Sequence, residues 1–332
     1  ELEEIESFDV VKGFLNLRMA TAYWLRFLET AQRQGEDYFR VDTGQGEQVM
    51  VEYSSPNTNK PLHLGHLRNI FLGDAICRLL EATGHRVVRA NLINDRGIHI
   101  AKSMLAYQRF GAGETPESSG MKGDKLVGTY YVEFDRQYRR EVAELIAAGH
   151  PKEQAKQQAP LLQAAQEMHR QWEAGDPDVH ALWQKMNGWV YEGFEQTYDR
   201  LGVHFDRYYY ESETYLPGRQ LVEEGLQKGV FYRKDDGSVW VDLSENGLDE
   251  KLLLRADGTS VYITQDLGTA QQKFRDYDLD RSLYVIGNEQ DYHMKVLSVL
   301  LERLGMKDAN RVIHISYGMV DLTSGKMKSR EG

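Results

Sequence analysis

The stretch from Val49 to Ile93 leaves the chain little choice of architecture. Val49-Met50-Val51 is a short apolar run that passes through Glu52 into Tyr53, as a strand leaving a core does. Residues 54–61, S-S-P-N-T-N-K-P, cannot prolong it: prolines remove ladder donors, and serines and asparagines bond their own backbone. A helical spacing starts near Leu64 and runs through Ile70, Phe71, Ala75, Ile76, Leu79 and Leu80, and Gly84 stops it. Arg86 to Ile93 then reads as a second strand. Strand, helix, strand at this spacing is a βαβ unit, which requires parallel strands and a right-handed crossover. The predicted class is therefore α/β, with a Rossmann-like parallel sheet whose ligands bind beyond the carboxyl ends of its strands.

The turn between the first strand and the helix concentrates unusual chemistry. His63 and His66 lie three residues apart across the helix start, so both can face one side. Gly65 between them has no side chain to obstruct a flat ligand, and Lys60 adds a fixed positive charge. A helix start also offers backbone N–H groups and partial positive charge, which suits phosphate. Such a site can stabilise a polyphosphate whose charge grows during reaction without any protein nucleophile. Two plainer readings compete. A His-x-x-His pair can bind zinc, but no third ligand lies nearby in sequence and the chain has one cysteine, Cys77. The histidines can also be ordinary surface residues.

Around this unit the pattern predicts a polar opening and a helix from Leu15 to Ala31, striped by Leu17, Ala22, Leu25 and Leu28. After the second strand, Asn94-Asp95-Arg96-Gly97 falls beside the first loop, and Asp95 is suited to cap a helix starting near Ile98. Residues 111–123 form a Gly-, Ser- and Pro-rich loop, and Lys125 to Arg200 is predicted helical, with Trp172, Trp183 and Trp189 as packing anchors. This helical stretch reads as an insertion between the halves of the nucleotide fold. Two hairpins are predicted about Asp236-Gly237 and Asp257-Gly258. The second delivers Tyr262 and Asp266, with a helix starting at Asp266 or Leu267. A strand over Ser282–Gly287, a turn carrying Gln290 and Asp291, a helix through His293 to Leu304 and a strand over Arg311–Tyr317 follow. The last stretch, Gly325 to Gly332, sets Lys326, Lys328 and Arg330 between glycines, where a mobile loop can close over phosphates.

Net charge bears on partners. At −11 it argues against a large phosphate-gripping surface, while local basic patches remain possible. Cys77 lies on the apolar face of the first helix. A chain with one cysteine forms no internal disulfide, which fits a reducing, cytoplasmic setting. No apolar run approaches the ~20 residues that span a bilayer, so no membrane partner is expected.

The full string S-S-P-N-x-x-K-P-x-H-x-G-H-x-R resembles the first signature of the class I aminoacyl-tRNA synthetases, and its lead-in resembles the arginyl-tRNA synthetases among them. The glutamine, glutamate and methionine enzymes share H-x-G-H without that lead-in. Residues 325–332 are similar to the second class I signature, K-M-S-K-S, in a variant order, and Tyr262-x-x-x-Asp266 resembles the family motif that recognises the arginine side chain. The loop at Asn94 and Arg96 departs from the Gly-Asp-Trp-Gly-like sequence usual in the family.

The resemblance implies ATP binding through His63, Gly65, His66, His293 and Lys328, with Lys60, His63, His66, Lys326, Lys328 and Arg330 acting on the phosphates. It implies arginine binding through Glu52, Ser55, Asn57, Tyr262, Asp266 and Gln290. A guanidinium is planar and permanently charged, so its receptor needs a carboxylate at fixed geometry. Mg²⁺ would arrive on ATP, with no structural metal. The implied division is residues 1–35, the tail of an N-terminal domain and a linker helix; 36–110, the first half of the catalytic domain; 111–206, the insertion; and 207–332, a hairpin-rich connector with the second half, ending at the K-M-S-K-S-like loop. The family's anticodon-binding domain is expected to be absent. L-arginine and ATP are then partners of this chain, while tRNA(Arg) is met mainly through the missing domains and charged poorly. A small-molecule nucleotidyltransferase sharing H-x-G-H and a non-enzymatic synthetase-like protein are the alternatives.

Overall fold

The computed structural model describes residues 2–322 and 325–326, with side chains described for 2–320. Two compact units are present, Glu1–Glu47 with Arg78–Arg86, and Gln48–Cys77 with Val87–Gly332.

In the smaller unit, β1 (Ile5–Val11) pairs antiparallel with β2 (Phe14–Met19), and α1 (Thr21–Gln34) follows. The predicted helix from Leu15 is corrected here: Leu15 and Leu17 sit in β2. Lys12 and Gly13 both adopt positive φ, 52° and 84°, as a two-residue hairpin turn requires. That turn brings Val10 opposite Leu15 and gives these residues a ladder before a helix can claim them. None of α1's residues is buried, and Phe8, Phe14, Trp24 and Leu28 stand exposed.

The larger unit carries β3 (Gln48–Glu52), α2 (Leu64–Ala82) as far as Cys77, β4 (Arg86–Ile93) from Val87 on, and α3 (Ile98–Phe110). The helical stretch α4 (Pro116–Ser119), α5 (Gly123–Ala147), α6 (Lys152–Gln158), α7 (Pro160–Glu173) and α8 (Pro177–Leu201) comes next. Then follow β5 (Arg207–Tyr210), α9 (Glu211–Gln227), β6 (Tyr232–Arg233), β7 (Val239–Val241), β8 (Lys251–Leu254), α10 (Tyr262–Asp276), β9 (Arg281–Gly287), α11 (Asp291–Arg303) and β10 (Val312–Tyr317). The central sheet runs β10-β9-β3-β4-β5, and β10–β9, β3–β9 and β4–β5 are parallel pairs. Val49, Met50 and Val51 are fully buried, as expected of a central strand covered on both faces. From β3 the chain builds outward through β4 to β5, then returns to place β9 on the other side. The order therefore reverses between β3 and β9, where such sheets hold their ligands.

Two placements differ from the sequence expectation. Because β5 pairs with β4, the helical insertion is threaded between two strands of one half of the sheet rather than between the halves. The hairpin about Asp257-Gly258 has only a single bridge, Leu254 to Ser260, on its return, and α10 begins at Tyr262 rather than at Asp266. Ile263, Leu267 and Ala270 share one buried helical face, and packing that face overrides the strand preference of Val261-Tyr262-Ile263. The helix lies close against α9. A Cβ on Gly268 would meet the Gly218 backbone nitrogen at 2.4 Å, and one on Gly218 would meet the Thr264 carbonyl at 2.0 Å. Cys77 is buried in α2, as its position on the apolar face predicts.

Candidate active site

At the carboxyl end of β3 the backbone turns sharply. Ser54 and Ser55 both adopt positive φ, 70° and 42°, a conformation that side chains disfavour and that must be held from outside. Asn69 and Asn91 hold it. The Ser54 amide donates to Asn69 Oδ1 at 2.5 Å and the Ser55 amide to Asn91 Oδ1 at 3.1 Å. Asn69 Nδ2 in turn donates to the Val285 carbonyl at 2.7 Å and to the Tyr317 hydroxyl at 2.9 Å. Tyr198, from the insertion, contacts the Ser54 hydroxyl and receives a hydrogen bond from Asn91. One asparagine on α2 thus ties the loop to β9 and β10. Further along, Asn57 and Asn94 form a parallel bridge, so the N-D-R-G loop is stitched to the first loop.

The two histidines cap α2 reciprocally. The Gly65 amide donates to His63 Nδ1 at 3.2 Å, and the His63 amide donates to His66 Nδ1 at 3.1 Å, the pattern of a capping box with imidazoles in place of hydroxyl and carboxylate. Two amides expected to await phosphate are occupied in this way. A ring nitrogen that accepts is unprotonated, so each neutral ring carries its proton on Nε2. The ring centroids lie 3.9 Å apart. Burial, with Lys60 beside it, holds His63 below its ordinary pKa. Burial, then His63 and Lys60, hold His66 down to about 3. Both are therefore neutral hydrogen-bond donors near pH 7.

Across from them, α10 contributes Tyr262 and Asp266. Asp266 Oδ2 lies 2.6 Å from His293 Nε2 on α11. The sequence places Asp266 on a guanidinium and His293 near a nucleotide; here each is the other's partner. Glu52, at the end of β3, is 3% exposed, and its carboxylate meets Lys273 of α10 at 2.5 Å. Burial pushes the Lys273 ammonium down, but Glu52 and Tyr284 outweigh it and lift the group above its usual value.

A cleft of about 540 Å³ unites these groups. It is lined by Glu52, Ser55, Asn57, His63, Gly65, His66, Tyr262, Asp266, Gln290 and His293, and by Ser54, Asn69, Tyr284 and Tyr317, which the sequence did not single out. Lys60 does not line it. Lys326 falls in the short strand Gly325–Lys326, and Lys328 and Arg330 lie outside the described residues. Asn69 and Lys273 left a faint sequence signal: each is a polar residue on an otherwise apolar helix face.

Asp95 corrects a further expectation. It does not cap the helix from Ile98, since Gly97 holds that position. Its buried carboxylate accepts from the Ser212 amide at 2.9 Å, the Ser212 hydroxyl at 2.7 Å and the Tyr191 hydroxyl at 3.0 Å. Burial raises its pKa against those three donors. Its backbone carbonyl accepts from Trp183 and Asn187, which fastens the insertion to the end of β4. Neighbouring Arg96 pairs with Glu173 at 2.7 Å and stacks on Tyr215 at 4.0 Å and Trp172 at 5.3 Å. Arg96, Glu211, Arg255 and Tyr262 line a second hollow of about 500 Å³, in which burial lifts the Glu211 carboxyl to about 8.

The family model of the class I (R) tRNA synthetase catalytic domain matches residues 28–332. An arginine–tRNA ligase of Bacteroides thetaiotaomicron is 58% identical over 328 residues, covering 99% of this chain and 55% of its own length. The arginine–tRNA ligase of Amoebophilus asiaticus is 59% identical over 330 residues with the same coverage. The chain thus spans about half the length of the curated relatives it matches. The Thermus thermophilus arginyl-tRNA synthetase structure superposes with a TM-score of 0.67 at 22% identity, covering 98% of this chain and 56% of that one. The Plasmodium falciparum arginyl-tRNA synthetase gives 0.67 at 20%, covering 96% and 53%. At these identities the two structures speak for the fold.

Proposed function

The chain belongs to the class I (R) tRNA synthetase catalytic-domain family, and from that premise we propose that it activates L-arginine with ATP and passes the arginyl group to tRNA(Arg). A carboxylate oxygen of arginine attacks the ATP α-phosphorus, the bond to the β-phosphate oxygen breaks, and arginyl-adenylate and pyrophosphate result. A ribose hydroxyl of the terminal adenosine of the tRNA then takes the arginyl carbonyl, and AMP leaves. ATP brings Mg²⁺ as its counter-ion. Displacement at phosphorus needs alignment and charge stabilisation from the protein rather than a nucleophile.

The observation that carries this reading is that one cleft at the sheet's switch point is lined both by the imidazole pair and by the Asp266 carboxylate. His63 and His66 serve the triphosphate as neutral Nε2–H donors. Gly65 leaves room for the nucleotide beside them, and His293 borders it once Asp266 is engaged by substrate. Lys60 and the loop bearing Lys326, Lys328 and Arg330 supply the cations that follow the departing pyrophosphate. Asp266 and Glu52 take the guanidinium with Tyr262 against it, while Ser55, Asn57 and Gln290 hold the amino-acid end. Buried Cys77 is compatible with a cytoplasmic setting.

The test is ATP–pyrophosphate exchange with each common amino acid, with tRNA(Arg) supplied, alongside calorimetric titration of arginine in the presence of an ATP analogue. Arginine alone should support exchange and binding, and Asp266→Asn should abolish both. Exchange driven by another amino acid, or undiminished arginine binding in that variant, would sink the assignment.

A further inference from the structure

A buried cation stands behind the end of the cleft assigned above to arginine's side chain. Lys273, two turns along α10 from Asp266, is fully buried. Its Nζ lies 2.5 Å from Glu52 Oε2 and 3.8 Å from the centre of the Tyr284 ring. Glu52 and Tyr284 are register partners on the neighbouring parallel strands β3 and β9, at the point where strand order reverses. Both line the cleft, whereas Lys273 does not. Lys273 thus lies behind the cleft wall, in contact with the carboxylate and the ring that line it.

The charges explain why the lysine is placed there. A carboxylate 3% exposed is costly to bury as a charge unless a partner accompanies it. A compact ammonium at contact distance offsets the cost of burying that charge and holds one oxygen in place. It also cancels one of the two acidic charges that the cleft would otherwise present beside a ligand, since Asp266 supplies the other. What remains is one net negative charge, matched to one guanidinium, with a second carboxylate oriented for hydrogen bonding.

We propose that Lys273 is a positioning and specificity residue for the amino acid: it fixes the Glu52 carboxylate against arginine and sets the net charge of that end of the cleft to accept a monocation. This rests on the reading that arginine occupies the cleft. The lysine touches no substrate and acts through Glu52.

The test is calorimetric titration of arginine, with an ATP analogue present, into the 332-residue chain and its variants Lys273→Met, Lys273→Arg and Glu52→Gln/Lys273→Met. Lys273→Met should weaken arginine binding by on the order of tenfold to a hundredfold, the worth of a charged hydrogen bond, and leave affinity for the ATP analogue unchanged. Lys273→Arg should recover most of the arginine affinity. The double variant, which buries no unpaired charge, should regain thermal stability yet stay weak for arginine. If Lys273→Met does not fold, the arginine and double variants decide. Wild-type arginine affinity in Lys273→Met or in the double variant overturns the inference and leaves the assignment of arginine standing. A wild-type chain that binds no arginine overturns both.

Discussion

His66 does two jobs with one ring. Its Nδ1 ends a chain of backbone hydrogen bonds at the start of α2, which fixes the proton on the nitrogen left over. The cost appears as a pH dependence of stability. The folded chain holds His66 at about 3 against an ordinary 6.5, so on acidification the unfolded chain takes up that proton first. The stability tied to this residue is complete above pH 6.5 and is lost between there and 3. His66→Gln should therefore lose less melting temperature between pH 7 and pH 4.5 than the wild type, measured by thermal denaturation across that range. Glu211 runs the other way. Its carboxyl is held protonated up to about 8 against an ordinary 4.5, so the folded chain keeps a proton that the unfolded chain has lost. Stability tied to it is complete below 4.5 and drains away as pH rises through 8. Glu211→Gln should match the wild type near pH 4.5 and melt a few degrees higher near pH 8.5. The histidines were legible in the sequence because motif spacing advertises them. Glu211 was not, and Lys273 only faintly, because a charged residue on a helix does not say what it is for until its neighbours are known.

At the level of elements, α10 is the one whose placement decides the site, and its start is among the features the sequence misjudged. Tyr262 and Ile263 are good strand formers, and only the long-range packing of Ile263, Leu267 and Ala270 makes them helical. That packing depends on backbone contact between α9 and α10 at Gly218 and Gly268. Gly268→Ala should destabilise the chain by about 1–3 kcal/mol, as overpacking does. It should also weaken arginine binding by shifting Asp266, two residues away. Melting and titration on the same variant check both, and unchanged affinity would show that the helix seats itself independently of this contact. The β3–α2 loop has its own keystone. Asn69→Leu leaves the Ser54 amide and the Val285 carbonyl without the partner each has now, at about 1–3 kcal/mol for each group stranded away from water. The turn's existence was plain from its prolines and asparagines. Its left-handed serines were not, because they are imposed by Asn69 and Asn91 from other elements.

For the molecule as a whole, the parallel sheet was readable from a single βαβ unit, since chain handedness and layer packing leave few alternatives. The position of the helical insertion was not, because it turns on whether four residues, Arg207–Tyr210, pair with β4 or open a new half. Burial is divided unevenly. The inner strands β3, β4 and β9 of the larger unit are largely buried, while α1 and its hairpin bury almost nothing. Hydrogen exchange should accordingly find the amides of β1, β2 and α1 opening much faster than those of β3 and β9. Equal protection would show that some further contact shields the hairpin. Tyr262, finally, is a partition between two chambers, bordering both the main cleft and the hollow that holds Arg96 and Glu211. A guest on one side that tilts this ring alters the welcome on the other, and thermodynamic reciprocity makes the influence equal in the opposite direction.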